Sequence, residues 1–493
     1  ALGLPLPAAR ARRRGLQRGR GRQPGARATA SSIGDLSWPG ASLHVSEATT
    51  LPAAYYTSEE VARAEQAKVW GAGWLPACLR RDVELPNSQN TCRLLPKGEH
   101  LPVVVCRDAH GVLRAFLNIC SHRAYAVVTE DRQGGPKGCL SCGYHGWTYS
   151  FDGQCVGAPR MDGCREFQLA DQSLSELEVC ERGELVFVNV GNCAESFDSW
   201  IGDAAFVERL EASRIWDRAG MRHVASVGYA VPCNWKVYAD NYLDGGYHVP
   251  VAHKQLSSGL SLSSYRSLAD PRTGSSLQSV DASDSNSRLQ GAKPAYAYLY
   301  PNLALNRYGP WLDVNVITPL AADRCHVQFE FWLQEGAEEG DEGFVERSLR
   351  ESDLVQREDV AICERVQRGL ASGGYTGREG RYSTVEEPMH AFHRAYHQRI
   401  HAESEGSGAE RAAVTHPSPI KAIDFATEFV EQIDEGRKLA TCRSLAHEPS
   451  LRGIGAGDTV LATTHGGREV FGALRIDGVS SVAFADITDE LAR

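Results

Sequence analysis

The sequence predicts an α+β protein of several domains. With 493 residues, the chain is too long for one ordinary hydrophobic core, so we expect about two or three domains. Short β-type runs separated by Gly, Pro, Asn and Asp turns fill the region from about 76 to 192, whereas strand and helix patterns mix after Trp200. A polar, Gly/Ser-rich linker at 402–418 then precedes a small last domain.

The composition is that of a globular protein rather than a membrane protein. Hydrophobic residues make up 42% of the chain and charged residues 23%. The longest apolar runs have the length of single strands, as in LPVVVC at 101–106, whereas a membrane-spanning helix needs about 18 apolar residues. We therefore expect no membrane as a partner.

The first 34 residues carry eight arginines and no acidic residue. Their richness in Arg, Ala, Ser and Gly is typical of an organelle transit peptide, so we predict that 1–34 is a disordered targeting segment outside the fold. A basic arm that binds nucleic acid or an anionic surface is the alternative interpretation.

The first folded element is predicted to be a helix at 51–74. Thr57 and Glu60 match the capping-box pattern at its beginning. Apolar residues follow at near-helical spacing, namely Val61, Ala64, Ala67 and Trp70.

Two large domains follow this helix. We place an all-β domain at 75–195 and an α+β domain at 196–401. The α+β domain is predicted to contain strands near 311–319 and 325–333 and a long helix from about 342 to 370.

The all-β domain contains two short motifs that can bind a metal. Cys120-x-His122 and Cys142-x-x-His145 supply two thiolates and two imidazoles, with 19 residues between His122 and Cys142. This ligand set suits a [2Fe–2S] cluster in which the cysteines bind one iron and the histidines bind the other. Structural zinc is the alternative, because Cys139 forms a Cys-x-x-Cys motif with Cys142.

The residues beside these ligands decide between the two metals. Arg123 after the first histidine and the run His145-Gly146-Trp147 resemble the Rieske loops of aromatic-ring-hydroxylating oxygenases. Zinc would not need these flanks, so we favour the Rieske cluster and regard Cys139 as a bystander. The spacer between the two motifs is some three residues longer than usual, which we interpret as a surface-loop insertion.

A second constellation lies in the α+β domain. His248 and His253 are five residues apart, beside Asp240 and Asp244. Two histidines and one carboxylate form the facial triad of non-haem Fe(II), and Asp359 lies on a segment that resembles the third-ligand helix of Rieske oxygenases. Alone, each of these residues would more simply be structural or solvated. Their occurrence together with the Rieske loops favours the iron site.

Longer stretches resemble the plant-type choline monooxygenases, which are chloroplast Rieske oxygenases. These stretches include NWKVYADNYLDGGYHVPVAHK at 234–254 and YPNLALNRYGPWLDVNVITPL at 300–320, and the similarity extends from about Leu51 to His397. The resemblance implies an all-β Rieske domain, a helix-grip (START-like) catalytic domain and a location in the chloroplast stroma.

The resemblance also implies roles for individual residues. The two histidines and Asp359 would hold mononuclear Fe(II), and the four Cys and His residues would hold the [2Fe–2S] cluster. Asp244 would link a Rieske histidine of one subunit to an iron-ligand histidine of the next, so that activity needs a homo-oligomer, usually a trimer. Asp240 and Asn241 are further candidates at the iron site, although Asp240 could simply be a helix cap or solvated.

The implied reaction is the oxidation of choline to betaine aldehyde hydrate with O2 and reduced ferredoxin, the first step towards glycine betaine. One alternative is a Rieske monooxygenase that N-demethylates or hydroxylates another quaternary ammonium compound, such as carnitine or glycine betaine. A further alternative, from another class, is a non-catalytic iron–sulfur electron carrier.

A cluster of aromatic residues is the candidate substrate site. Aromatic faces attract a quaternary ammonium group through cation–π interactions. The candidates are Tyr296, Tyr298, Tyr300, Tyr308 and Trp311. Tyrosines that alternate along a strand can equally belong to the core or to the sheet surface.

The last domain, at 419–493, departs from the choline monooxygenase pattern. Its sequence predicts a helix, AIDFATEFVEQIDEG, followed by strands such as DTVLATT. Lys438, Thr441 and Arg443 match a motif of the ASCH domain, a small PUA-like β-barrel associated with RNA. This resemblance implies contact with RNA or a nucleoside, and the alternative is a tethered module that does not affect the oxygenase.

Overall fold

The computed structural model describes the chain in several segments. They are residues 33–94, 101–134, 138–254, 257, 260–282, 293–338, 341–375, 380–402, 422–425, 459–464 and 470–475. Two compact units can be separated, and each is described by itself. Among the described residues, one unit contains Asp82–Leu177, which we call the β unit, and the other combines residues 33–81 with Glu178–His401, which we call the catalytic unit.

The bounds of the regular elements are as follows. The helices are α1 (Ala54–Thr57), α2 (Glu59–Glu65), α3 (Phe197–Ile201), α4 (Ala204–Ala212), α5 (Trp235–Leu243), α6 (Val249–Ala252), α7 (Phe344–Ala371) and α8 (Glu387–His401). The strands are β1 (Trp74–Leu79), β2 (Ser88–Arg93), β3 (Pro102–Arg107), β4 (Leu113–Leu117), β5 (Cys139–Ser141), β6 (Thr148–Ser150), β7 (Cys155–Gly157), β8 (Glu176–Leu177), β9 (Val179–Arg182), β10 (Leu185–Asn189), β11 (Met221–Val231), β12 (Leu260–Ala269), β13 (Ser276–Ala282), β14 (Ala295–Leu299), β15 (Leu303–Tyr308), β16 (Trp311–Ala321), β17 (Arg324–Gln334), β18 (Ala422–Phe425), β19 (Thr459–Thr464) and β20 (Val470–Arg475).

The β unit consists of two antiparallel sheets. One has the strand order β2-β3-β4-β8 and the other β5-β6-β7. Val104, Phe116, Leu140 and Tyr149 are fully buried in the core of this unit. The two metal-binding motifs lie in the loop after β4 and in the turn between β5 and β6, so rigid strands hold both loops.

A seven-stranded antiparallel sheet forms the centre of the catalytic unit. Its strand order is β11-β17-β16-β15-β14-β13-β12. Helix α5 packs against α7 and against strands β16 and β17. The strands predicted near 311–319 and 325–333 correspond to β16 and β17, and the predicted long helix corresponds to α7. A smaller sheet of this unit has the order β1-β10-β9.

The N-terminal helical segment differs from the prediction at its beginning. Ser58, not Thr57, caps α2, because the Ser58 hydroxyl accepts hydrogen bonds from the backbone of Glu60 and Val61. Thr57 instead ends α1 and donates to the carbonyl of Ala53. The predicted Thr57 cap is therefore wrong, since the chain breaks into two helices at Ser58.

Glu65, at the end of α2, attaches this segment to the rest of the catalytic unit. Its buried carboxylate accepts hydrogen bonds from Lys236 Nζ (2.5 Å), Trp235 Nε1 (2.9 Å) and Tyr396 Oη (2.6 Å). Lys236 is completely buried, and burial lowers its pKa against the opposing effect of Glu65. We call this group the Glu65 anchor, and it joins α2 to both α5 and α8.

Beyond the linker, the described residues form a small sheet. Strand β18 pairs in parallel with β19, which pairs in antiparallel with β20. The helix predicted to begin at Ala422 is wrong at its start, because Ala422–Phe425 pairs as a strand. Lys438, Thr441 and Arg443 lie outside the described residues, so the ASCH-like β-barrel remains a prediction. Among the described helices, none is both long and apolar enough to cross a bilayer.

Candidate active site

A tight turn after α5 positions the two histidines of the predicted iron site. Gly245 and Gly246 adopt left-handed φ values of 69° and 76°. A Cβ atom at Gly245 would lie 2.1 Å from a backbone carbonyl oxygen, so a side chain there would collide with the main chain. The turn leads into α6, and His248 and His253 lie at the two ends of this short helix. The doubled glycine is therefore a steric requirement of the site.

Asp359 approaches the histidines from the long helix α7. Its Oδ1 atom lies 2.9 Å from His253 Nε2 and 3.6 Å from His248 Nε2. The imidazole rings are nearly perpendicular, with their centroids 4.9 Å apart. One potential ligand atom from each residue lies within 4.8 Å of the others. The structure thus brings together the three residues proposed to bind iron.

A carboxylate fixes the orientation of each imidazole from its outer side. His248 Nδ1 lies 2.6 Å from Asp244 Oδ2, and His253 Nδ1 lies 2.7 Å from Glu358 Oε2. With Nδ1–H donated to a carboxylate, the Nε2 lone pair points towards the centre, as in carboxylate–histidine–metal arrangements. The sequence analysis did not predict a role for Glu358. Its position next to Asp359 is the sequence feature that could have indicated one.

The buried carboxylate of Asp244 also shapes the turn. Its oxygens accept hydrogen bonds from the backbone N–H groups of Gly246 (2.9 Å), Tyr247 (3.2 Å) and His248 (2.9 Å). Asp244 therefore holds both the backbone and the side chain of His248. Its predicted role in linking two subunits stays a prediction.

The other two predicted residues of this segment point in different directions. Asn241 Nδ2 donates to Asp359 Oδ1 over 2.8 Å, so Asn241 belongs to the site. Asp240 accepts from Tyr56 Oη and bonds His393 Nε2, each over 2.7 Å. Asp240 does not line the cavity beside the histidines, and its hydrogen bonds join α5 to the N-terminal segment and α8. We therefore assign Asp240 a structural role.

The protonation of His253 indicates how the site would receive a cation. Burial lowers its pKa, but hydrogen bonds and charges from Asp359 and Glu358 outweigh burial and raise the pKa to about 9. An imidazole that binds a metal must be neutral. A metal ion would therefore displace the additional proton of the His253 imidazole, which lies between the carboxylates of Asp359 and Glu358. Two imidazoles and one carboxylate are the donor set of non-haem Fe(II), and they leave coordination positions open for O2 and substrate. The residues present fit this metal.

A cavity of about 200 Å³ adjoins the three residues. It lies between the sheet and helices α5 and α7, and most of its large side chains are aromatic. These aromatic residues are Tyr238, Tyr242, Tyr265, Tyr296, Tyr308 and Phe329. The cavity can therefore surround a small cation with tyrosine rings.

Two of the five predicted substrate residues line this cavity, whereas Tyr298, Trp311 and the buried Tyr300 do not. Tyr296 and Tyr308 are part of its wall. Tyr298 is fully buried and donates from its hydroxyl to the carbonyl of Pro301. Trp311 is also fully buried and packs against Phe344, with the ring centroids 6.1 Å apart. Tyr298 and Trp311 are core residues, so we remove them from the candidate substrate site.

The four predicted cluster ligands lie at one end of the β unit. Cys120 and Cys142 are buried, whereas His122 and His145 are more exposed. The Nδ1 atoms of the two histidines face each other over 3.1 Å. The Trp147 ring stacks on His122, with the planes 3° apart. Thiolates inside and imidazoles outside fit a cluster whose histidine-bound iron is near the surface.

Two further residues bear on the cluster. One of them, Tyr149, was not predicted from the sequence. Its Oη atom lies 3.2 Å from Cys120 Sγ and also accepts a hydrogen bond from the backbone N–H of Ser121. A hydrogen bond to a cluster thiolate raises the reduction potential. Cys139 lies within strand β5, and its Sγ faces the hydroxyl of Ser141 at 3.9 Å.

The β unit is suited to a two-iron cluster, and helices of the catalytic unit bring together two histidines and one carboxylate. These two sites define an iron-dependent oxygenase of the Rieske type. The family described as Rieske [2Fe-2S] domain matches residues 73–168, and the family described as ring hydroxylating alpha subunit (catalytic domain) matches residues 219–402. The chain therefore belongs to the alpha subunits of Rieske non-haem iron oxygenases, as a Rieske-type monooxygenase. The predicted Rieske cluster and mononuclear iron are confirmed, and zinc is excluded as the interpretation of the cysteine motifs.

Individual relatives and solved structures agree with this family. The chloroplastic choline monooxygenase of Arabidopsis thaliana is 38% identical over 73% of this chain and 84% of the relative. That of Spinacia oleracea is 31% identical over 70% and 77%. The carnitine monooxygenase oxygenase subunit of Escherichia coli is 26% identical over 75% and 92%.

A solved quaternary ammonium Rieske monooxygenase, described as acting in carnitine oxidation, has a TM-score of 0.61 and 25% identity. This match covers 72% of this chain and 96% of that structure. Naphthalene 1,2-dioxygenase from Rhodococcus sp. shares the fold, with a TM-score of 0.58 and 21% identity over 72% of this chain and 95% of that structure. These matches confirm the predicted Rieske and catalytic domains of an α+β multidomain fold.

Proposed function

We propose that this protein oxidises choline to betaine aldehyde hydrate with O2 and electrons from reduced ferredoxin. The observation that carries the proposal is the tyrosine-lined cavity beside His248, His253 and Asp359. A desolvated quaternary ammonium group gains about 2 kcal/mol from an aromatic face, so such a cavity favours a trimethylammonium substrate. The choline monooxygenases among the relatives support the same substrate.

The charge of the cavity favours choline over carnitine. Carnitine carries a carboxylate, which binds well when an Arg or Lys is its partner. The described residues that line the cavity include neither Arg nor Lys. The second candidate function is N-demethylation or hydroxylation of carnitine or glycine betaine, and the carnitine monooxygenase relatives favour it. The uncompensated carboxylate of these compounds makes it the weaker candidate.

The residues of the chain have separate tasks in this reaction. Bound Fe(II) supplies the activation of O2, which side chains cannot provide. Asp244 and Glu358 keep the imidazoles of His248 and His253 in the ligating orientation, and the tyrosine rings hold the cation so that the alcohol carbon faces the metal-binding group. Adding a hydroxyl group to that carbon gives a gem-diol, the hydrated aldehyde. Two electrons, two protons and O2 yield this product and one water.

Partners and location follow from the same proposal. Ferredoxin is the proposed electron donor. The solved relative is described in connection with inter-subunit electron transfer, which supports a homo-oligomer, and we propose a trimer in which Asp244 links adjacent subunits. The chloroplastic relatives support a chloroplast location, and we propose the stroma, with 1–34 as the transit peptide. RNA or nucleoside contact by 419–493 stays a separate proposal resting on the Lys438, Thr441 and Arg443 motif.

Product analysis of the purified, iron-loaded protein tests the function. With choline, ferredoxin and its reductase, we expect O2 uptake matched by betaine aldehyde. Release of formaldehyde from carnitine or glycine betaine, without aldehyde from choline, would favour the second candidate. The iron content separates an enzyme from a non-catalytic carrier, because the cluster and the mononuclear site together require three irons per chain, whereas the cluster alone requires two.

A further inference from the structure

One buried amide of the cavity wall has a hydrogen-bond donor without a partner. Gln356 on α7 lines the cavity and is only 4% exposed. Its Oε1 atom accepts a hydrogen bond from Tyr238 Oη over 2.8 Å, whereas its Nε2 atom has no partner among the described residues. A buried donor without a partner is unfavourable, because it has lost its hydrogen bonds to water and gained none in the protein. A ligand that supplies an acceptor would remove this cost.

The position of Gln356 on α7 places this amide next to the metal-binding residues. The residues of α7 that line the cavity have the spacing of one helix face, and they are Ser352, Val355, Gln356 and Asp359. Residues three apart on such a face have Cβ atoms about 5–6 Å apart. Gln356 comes three residues before Asp359, so a ligand group that bonds its amide also lies beside the proposed iron ligand.

A second amide of the cavity wall has an acceptor without a partner. Asn315 on β16 lines the cavity, is 3% exposed, and its Oδ1 atom bonds none of the described residues. The wall therefore offers an unpaired donor on the helix side and an unpaired acceptor on the sheet side. A trimethylammonium group has neither an N–H nor a lone pair and satisfies neither atom, whereas an alcohol both donates and accepts. The cavity thus favours a ligand that carries a hydroxyl group besides its cation.

We propose that Gln356 recognises the alcohol of the substrate by donating a hydrogen bond from Nε2 to the alcohol oxygen. This inference rests on the proposed function, and it names a residue that reads the alcohol end of the substrate rather than the cation. Tyr238 holds Oε1 of the same side chain, so the direction of the N–H group is fixed. The carbon that bears the hydroxyl is thereby held beside Asp359, next to the metal-binding group.

Equilibrium binding to the iron-loaded protein, without an electron donor, tests this role in the absence of turnover. The probes are choline and propyltrimethylammonium, in which a methyl group replaces the hydroxyl at the same chain length. Gln356→Met keeps the length of the side chain but removes the N–H donor. For this variant we expect choline binding to weaken by about 3- to 10-fold, the effect of one neutral hydrogen bond. Binding of propyltrimethylammonium should not weaken, because this ligand makes no bond to the amide.

A double variant separates recognition of the alcohol from the support that Gln356 gives to Tyr238. Gln356→Met alone leaves the Tyr238 hydroxyl without its acceptor, and this loss can itself disturb the fold. Tyr238→Phe combined with Gln356→Met removes both partners, so the protein should tolerate this pair of changes better. The double variant should show the same loss of choline affinity relative to propyltrimethylammonium. A return to the wild-type ratio would mean that Gln356 acts only through Tyr238 and would overturn the inference.

Gln367→Met is the matched control. Gln367 lies on the same helix, is 6% exposed, and accepts a hydrogen bond from the backbone N–H of Asn234, away from the residues that line the cavity. The same substitution there should leave the ratio of the two affinities unchanged. If Gln356→Met changes both affinities by the same factor, or changes neither, Gln356 makes no bond to the alcohol and the inference is overturned.

The result can be told apart from a failure of the proposed function. Wild-type protein whose choline affinity depends on Gln356, but which forms no betaine aldehyde, would refute the reaction and support recognition of the alcohol. Protein that forms betaine aldehyde, but whose ratio of affinities is the same in Gln356→Met as in wild type, would support the reaction and refute the inference.

Discussion

Glu358 gives a direct test of the metal-binding geometry. Its Oε2 atom accepts from His253 Nδ1 over 2.7 Å, while Nε2 of the same imidazole faces Asp359. A hydrogen bond to a charged group contributes about 1.5–3 kcal/mol. Because the Glu358 side chain is 39% exposed, water weakens this bond, and we use the lower end of that range. Removing the charge in Glu358→Gln should therefore weaken Fe(II) binding about 10-fold.

The measurement is an anaerobic titration of Fe(II) into protein that has lost its mononuclear iron but retains its cluster. Glu358→Ala should weaken Fe(II) binding more than Glu358→Gln does, by up to about 100-fold relative to wild type, because alanine removes the hydrogen-bond acceptor as well as the charge. Glu364→Gln is the control, since Glu364 lies on the same helix and pairs with Arg368. The visible spectrum of the Rieske cluster should be the same in all variants.

One result would refute the reasoning. If Glu358→Ala bound Fe(II) as tightly as wild type, the orientation of His253 would not depend on Glu358. A loss of the cluster spectrum in the same variant would point instead to unfolding. The comparison with Glu364→Gln separates a local effect on the ligand from a change in helix stability.

Three further predictions concern the cluster, the fold and acid stability. Tyr149→Phe removes the hydroxyl near Cys120 and should lower the cluster potential by about 40 mV in a redox titration, equivalent to ~1 kcal/mol for one electron; an unchanged potential would contradict the contact. Glu65→Gln should reduce the free energy of unfolding by about 3–5 kcal/mol in denaturant titrations, because Lys236 stays buried without its counter-ion. The pKa of His397 is lowered to about 4, mainly by burial, so the folded state binds fewer protons than the unfolded state below pH 6.5. Stability should therefore fall as the pH decreases from 6.5 to 4, and His397→Gln should make this decrease smaller.

The parts of the site that depend on local spacing were predictable from the sequence. Cys120 and His122 lie on one loop, and His248 and His253 flank one short helix, so the number of residues between ligands largely determines their distance. The long helix α7 and the hairpin of β16 and β17 were predictable for a similar reason, since their hydrophobic periodicity continues over many residues.

Contacts between distant segments were not predictable in the same way. Glu358 reaches His253 across 105 residues, and among several acidic residues of one helix the sequence does not mark the one that faces inward. The same limitation applies to Asp240, because its partners Tyr56 and His393 are both far from it along the sequence. The prediction of Tyr298 as a substrate residue was wrong because strand periodicity indicates which face of the sheet a residue occupies, but not where along the strand the cavity lies.

The Glu65 anchor limits how far the N terminus can be shortened. A protease that removed the chain through residue 65 would delete the acceptor shared by Trp235, Lys236 and Tyr396 and leave an ammonium group enclosed in protein. Trp235 and Lys236 begin α5, which ends at Leu243 directly before Asp244, so the damage would reach the turn that positions the two histidines of the iron site. If the proposed transit peptide is removed, the cleavage must therefore lie upstream of α2, and a trimmed form that starts later should neither fold stably nor retain mononuclear iron.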